Sequence, residues 1–174
     1  MPTDVLRRAR GAPALDARRV QALCNRMLVA LELEHAELSV LLTDDRTIHA
    51  LNLEHRGKDR PTDVLAFALG DDARPGEQCL GDIVISLETA SRQARGRRRP
   101  LLDEVRFLLA HGLLHLVGYD HDTKTHKRRM DGMTRRLVGA TRVEAKHQTP
   151  RVTADRPTRK QRGGTRRTKP RKAS

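Results

Sequence analysis

Apolar side chains recur along this chain in short blocks, and their spacing predicts helices alternating with strands. Asp16 can cap a helix in which Val20, Leu23, Met27, Ala30 and Leu31 repeat at intervals of three to four. Residues 38–43 are a short apolar run with a β-branched member and read as a buried strand. Asp44 can cap a second helix, carrying Ile48, Leu51 and Asn52 up to a break at Gly57. Residues 58–63 form a turn centred on Pro61, and 64–69 read as a strand. A polar loop with Pro75-Gly76 fills 70–78. A strand at 80–86 continues into a helix at 86–94, and 96–100 is a basic loop. Residues 101–117 form an apolar helix ended by Gly118, and a last helix over 123–138 closes the body. No internal repeat is evident. Short helices and strands in alternation predict an α with β class, in two or three layers around one small sheet. The pattern does not distinguish a parallel sheet from a mixed one.

The chain has 174 residues, the size of one domain. Apolar residues make up 37 % and charged residues 33 %, which is charge-rich but sufficient for one core. Phe67, Phe107 and Tyr119 are the only aromatic residues. That argues against RNA binding by many exposed stacking rings. The longest unbroken apolar stretch, 64–69, is far too short to span a bilayer, and no charged-then-apolar leader opens the chain. A soluble cytoplasmic protein without membrane contact is therefore expected. Cys24 and Cys79 lie far apart without metal-type spacing, so they read as isolated buried thiols.

Charge changes the picture at one end. The formal net charge is +13, yet residues 146–174 hold 11 cations against a single acid, Asp155. Residues 1–145 carry 24 cations and 21 acids and are nearly balanced. After Val143 the apolar residues are only Ala and Val, too few to offset the entropy of ordering the chain. The expected organisation is a folded domain over 1–143 and a disordered basic tail over 144–174. Such an arm attracts nucleic acid by neutralising phosphates and releasing counterions. The bland reading is a solvated appendage that keeps the protein soluble.

The strongest chemical signal is H-G-L-L-H-L-V-G-Y-D-H, residues 111–121. His111 and His115 are four apart in a predicted helix, which stacks both imidazoles on one face. Gly118 allows a sharp exit that can carry His121 back toward the same point. Three neutral imidazoles around a zinc ion leave one tetrahedral position open, as in a catalytic site. The spacing matches the zincin pattern H-E-x-x-H-x-x-G-x-x-H at every histidine and at the glycine. It departs where the protease glutamate would stand, because residue 112 is Gly112. Peptide hydrolysis by the usual route then lacks its general base. The metal would still polarise an oxygen or lower the pKa of its bound water toward about 7.

The segment R-G-K-D-R-P-T-D, residues 56–63, places cations on a loop between a helix and a strand. Arg56 offers a planar fork for a phosphate, and Lys58 and Arg60 add charge. The alternative is an ordinary solvated turn. Beside the metal, this loop favours phosphodiester over amide cleavage, with Arg56 neutralising charge on the phosphoryl oxygens. Asp82 and Asp120 are weaker candidates for orienting a metal-bound histidine. The spacings of His35, His49, His55, His126 and His147 are not those of ligands. Asp103 and Glu104 would favour the start of the histidine helix through its dipole.

Three segments then resemble a known family in this order: L-N with R-G-K-D-R-P-T-D-V-L-A-F at 51–67, L-G-D-I-V-I-S-L-E-T-A-S-R-Q-A at 80–94, and the histidine motif. Over residues 15–138 the chain resembles the bacterial YbeY family of rRNA maturation endoribonucleases. The resemblance implies a single α+β domain with a small mixed sheet flanked by helices. It implies one Zn2+ ion per chain held by His111, His115 and His121. It further implies a metal-dependent, single-strand-specific endoribonuclease that matures the 3′ end of small-subunit (16S) rRNA and serves ribosome quality control. Arg56 matches the family arginine assigned to catalysis. Implied partners are small-subunit rRNA and ribosomal particles, a small-subunit ribosomal protein and a ribosome-assembly GTPase. The chain departs from the family at Arg135 and Arg136, which replace acids after Met133, and at Ala66 and Ala68. The tail lies outside the resemblance. Two other classes compete: a divergent metallopeptidase, and a non-enzymatic, metal-containing ribosome-assembly or RNA-binding factor. For the nuclease, attack by zinc-bound hydroxide and attack by the RNA 2′-hydroxyl are both open, and the product ends distinguish them.

Overall fold

The computed structural model describes residues 3–69, 79–120 and 122–145. The polar loop expected at 70–78, His121, His147 and the expected tail from residue 146 onward lie outside the described residues. In chain order the elements are β1 (Thr3–Arg8), α1 (Ala17–Ala30), β2 (Glu37–Thr43), α2 (Asp45–Arg56), β3 (Val64–Ala68), β4 (Cys79–Ser86), α3 (Leu87–Gly96), α4 (Leu101–Leu116) and α5 (Lys124–Ala145).

The strands form one sheet in the order β1-β2-β4-β3. β1, β2 and β4 run parallel, and β3 pairs antiparallel with β4, so the sheet is mixed. Val5, Val40, Ile83 and Ala66 stand in register across it. One face carries Val40, Leu42, Ile83 and Ile85 into the main core with α1, α4 and α5. The other face carries Val84 and Leu65 against Ile48 of α2 in a smaller cluster. This is the α+β arrangement that the resemblance implied.

The helix starts follow the capping chemistry of the sequence. Asp16 accepts from the Arg18 amide at 3.0 Å, Asp44 from that of Thr47 at 2.9 Å, and Ser86 from that of Thr89 at 3.2 Å. α2 ends where Gly57 takes a left-handed conformation (φ 64°), and its amide returns to the Leu53 carbonyl at 3.0 Å. β1 was not expected. Its only apolar residues are Val5 and Leu6, and an edge strand has one partner and little to bury; Leu6 is 49 % exposed. α5 runs past 138 to Ala145, so the first two residues of the expected tail are helical. Burial pushes the Cys24 thiol up to about 12. Cys79, by contrast, is only half-buried, because it opens β4 beside an irregularity in the register with β2.

The first turns of α2 and α3 are tied together. Asp45 accepts from Ser86 Oγ at 2.5 Å, Thr89 Oγ1 at 2.6 Å and Arg92 Nη2 at 2.8 Å. Its own amide donates to Glu88 at 2.7 Å. Burial opposes ionisation of Asp45, and these hydrogen bonds outweigh it, so its pKa is lowered. A depressed carboxyl contributes stability above its unfolded pKa of about 4 and loses it as pH falls through the folded value. Asp45→Asn is expected to cost about 1–2 kcal/mol at pH 7. It should also flatten the acid limb of the stability curve, measured by urea unfolding between about pH 5 and pH 2. An unchanged acid limb would mean that other carboxyls carry it.

Candidate active site

α4 is apolar on nearly every side because it lies over the sheet with α3 beside it and α5 behind. Besides the charged residues of its first turns, its polar residues form one stripe. His111 and His115 stand one turn apart, with ring centroids 4.9 Å apart and planes nearly perpendicular. Phe107, a turn earlier, lies nearly parallel to His111 at 6.3 Å, and the Arg99 guanidinium sits 5.4 Å from the Phe107 ring centre. The stripe forms one wall of a cleft of about 790 Å³. Beyond α4, Gly118 turns the chain at φ 87°, and Tyr119 and Asp120 continue the wall.

Gly112, at the zincin glutamate position, faces β3 and β4 closely. A Cβ there would lie 3.2 Å from Ile83 Cγ2 and 3.4 Å from Val64 Cγ2. A larger residue there would have to push these side-chain methyls aside.

The facing wall comes from the end of α2 and the loop after it. Arg56, Lys58 and Arg60 all line the cleft. Arg56 was expected on a loop but is the last residue of α2, which fixes its backbone. One of its guanidinium nitrogens donates to the Ala66 carbonyl at 3.1 Å, and other donors of the fork are left to face a ligand. The loop is pinned rather than freely solvated. Asn52 Nδ2 donates to the Arg60 carbonyl at 2.7 Å, and His49 hydrogen-bonds Asp59 at 2.7 Å. Asp63 accepts from the Val64 amide at 2.8 Å and from Gln93 Nε2 at 2.9 Å. Asp59 and Asp63 thus have partners, while three cations line the cleft.

Among the described residues, no group of three or more His, Cys, Asp or Glu is placed to hold a metal ion. The donor set nonetheless suits one. Two imidazoles a turn apart on one cleft wall are borderline-soft nitrogen donors of the kind zinc takes, with His121 one residue past that wall in sequence. Asp82 is exposed on β4, paired with Phe67, while its neighbour Ile83 is the residue that touches α4. It therefore looks away from the histidines. Of the remaining histidines, His55 meets Phe67 edge-on at 5.0 Å and His126 bonds Asp122 at 2.6 Å. Asp103 and Glu104 do more than favour a helix dipole: Glu104 is fully buried between Arg97 and Arg99, and Asp103 pairs with Arg106 and Arg142. The places of Phe107 and Tyr119 on the cleft wall were not foreseen. Helical spacing from His111 was the signal for Phe107, whereas Tyr119 stands past the Gly118 bend, where that spacing no longer applies.

Comparison with known proteins is in keeping with this arrangement. The family pattern described as Endoribonuclease YbeY matches residues 10–142. A protein named Endoribonuclease YbeY from Anaeromyxobacter sp. (strain Fw109-5) is 52 % identical over 114 residues, 66 % of this chain and 59 % of that relative. One of the same name from Aquifex aeolicus is 52 % identical over 95 residues, covering 55 % and 63 %. One from Syntrophotalea carbinolica is 40 % identical over 129 residues, covering 72 % and 86 %. The chain thus spans less than two thirds of the length of the first two. The solution structure of TM1509 from Thermotoga maritima aligns with a TM-score of 0.53 at 24 % identity, over 86 % of this chain and 98 % of that one, and shares the fold. With a matched pattern that begins just past β1 and ends within α5, this chain belongs to the YbeY endoribonuclease family.

Proposed function

We propose that this protein is a metal-dependent endoribonuclease that cleaves single-stranded RNA, in 3′-end maturation of small-subunit (16S) rRNA and ribosome quality control. The observation that carries the chemistry is the shared cleft: His111 and His115 on one wall, Arg56, Lys58 and Arg60 on the other. A cationic wall facing nitrogen donors suits a phosphodiester better than a peptide, and Gly112 withholds the peptidase base.

In this reading His111, His115 and His121 hold one Zn2+ ion. When bound, the ion supplies Lewis acidity toward a phosphoryl oxygen or a water. The protein's own residues do the rest. Arg56, anchored to the Ala66 carbonyl, presents its remaining donors to the scissile phosphate and offsets charge as it grows there. Lys58 and Arg60 hold the flanking phosphates. Residues 1–143 are the catalytic domain, and the basic tail over 144–174 raises the local concentration of RNA. Ribosomal particles, a small-subunit ribosomal protein and a ribosome-assembly GTPase are the proposed cytoplasmic partners. No helix among the described residues is long and apolar enough to cross a membrane.

Single-turnover cleavage of a single-stranded RNA tests the reading. Arg56→Ala is expected to slow cleavage by about 10²–10³, the usual cost of removing one preorganised charge-stabilising group. His115→Ala is expected to remove cleavage and bound zinc together, as read by metal analysis. Wild-type rates in both variants would assign the activity to a contaminating nuclease. Zinc retained without cleavage in the wild type would favour the assembly-factor alternative.

A further inference from the structure

We propose that Arg26, Arg106 and Arg142 form a binding site for a phosphate oxyanion on the side of α4 turned away from the cleft. At about 100° per residue, Arg106 projects about 180° from His115 and about 140° from His111 around the helix axis. The site lies where α1, α4 and α5 pack together, each supplying one arginine.

Three observations converge. First, Arg106 is only 7 % exposed, which is unusual for a guanidinium. Second, the charges do not balance. Asp103 pairs with Arg106 and with Arg142 (3.2 Å to Arg142 Nη2), and among the described residues Arg26 has no ion pair. Among the described side chains, three cations against one carboxylate leave an excess of two. Third, Nε of Arg26 and Nε of Arg106 are both shielded from solvent without an acceptor among the described residues. Buried donors left unmade are costly, and native structures resolve them with a partner, a water or an ion. The strain also shows in Arg106 itself: burial lowers its pKa, and the charges of Arg142 and Arg26 lower it further against the pull of Asp103.

A small polyanion resolves all three. It neutralises the excess charge, and its oxygens accept from the two orphaned nitrogens. Guanidinium groups match phosphate geometry better than they match halides. Arg142 is more than half exposed, so the site opens to solvent on one side. The same chemistry has two sources, free inorganic phosphate and a phosphodiester of an RNA strand that passes behind the cleft.

Thermal unfolding in phosphate and in chloride at matched ionic strength is the first arm. Inorganic phosphate at ten times its dissociation constant is expected to raise Tm by about 3–5 °C. In Arg26→Gln/Arg142→Gln that increment should vanish, while the variant in chloride is no less stable than wild type because like charges have been removed. The second arm measures binding of a single-stranded oligoribonucleotide against salt concentration. A log–log slope smaller by about 1 for each lost contact identifies the phosphodiester as occupant. A phosphate increment lost with an unchanged RNA slope identifies free phosphate instead. Equal Tm in phosphate and chloride overturns the site. So does an increment that survives in the double variant, since phosphate would then be bound by the cleft cations. Neither arm requires metal or cleavage, so its outcome is separate from that of the nuclease reading.

Discussion

Gly112→Glu, which completes the H-E-x-x-H pattern, is expected to unfold the protein and to confer no peptidase activity. The first carbon of the new side chain meets Ile83 and Val64 at 3.2–3.4 Å, tighter than ordinary contact. Overpacking of that kind costs about 1–3 kcal/mol. Gly112 and Val64 also line the cleft, so the carboxylate is buried where it stays against Ile83 and the neighbouring apolar side chains and solvated where it reaches the cleft. An uncompensated buried charge adds about 3–5 kcal/mol. The two together rival the whole stability of a domain, about 5–15 kcal/mol. Urea unfolding at pH 7 is the measurement. Gly112→Ala separates the terms, because it adds only the Cβ and gains about 1 kcal/mol of helix propensity. Its net change is expected to be small. A folded, stable Gly112→Glu would mean that α4 can lift from the sheet, and the geometric case against a protease descent would fail.

The same residue shows what was legible in sequence and what was not. Most helix and strand positions, the caps at Asp16 and Asp44, and the turn at Gly57 were readable because each is set by local chemistry; the cap at Ser86 was not named. The pairing of His111 with His115 was readable for the same reason: helical spacing fixes it. The meeting of that pair with Arg56 was not, since it depends on how α2 and α4 pack on opposite faces of one sheet. Sequence could state that Gly112 is not a base, but not why a glycine stands there. β1 went unseen because an edge strand with two apolar residues and two arginines leaves almost no periodic signal. The acids at the start of α4 were read through the helix dipole, a weak and general effect. Their true partners, Arg97, Arg99, Arg106 and Arg142, include one from a different element and two from the preceding turn. Only Asp103–Arg142 is long-range, with no spacing rule from which to predict it, whereas Asp103–Arg106 is a pair at i,i+3 that helical spacing does offer.

Those partners set the second large effect. The Glu104 side chain is fully buried at the first turn of α4, and its two oxygens are taken by Arg97 and by Arg99, whose Nε lies at 2.6 Å. The pair of arginines comes from the connection between α3 and α4, so this carboxylate fixes where the histidine helix begins. Arg97→Met/Arg99→Met leaves the carboxylate without partners in a dry site and is expected to cost about 3–5 kcal/mol at neutral pH. Each arginine alone should cost less than half of that, because the remaining one still neutralises the charge. Adding Glu104→Leu to the double variant should restore most of the loss, since a buried ion cluster replaced by apolar groups of similar volume is often neutral. Denaturant unfolding of the four proteins decides the matter. If the double variant loses less than about 1 kcal/mol, water reaches Glu104 and the cluster is a surface feature. If the triple variant stays as unstable as the double, packing of Arg99 on Phe107 rather than charge carries the loss.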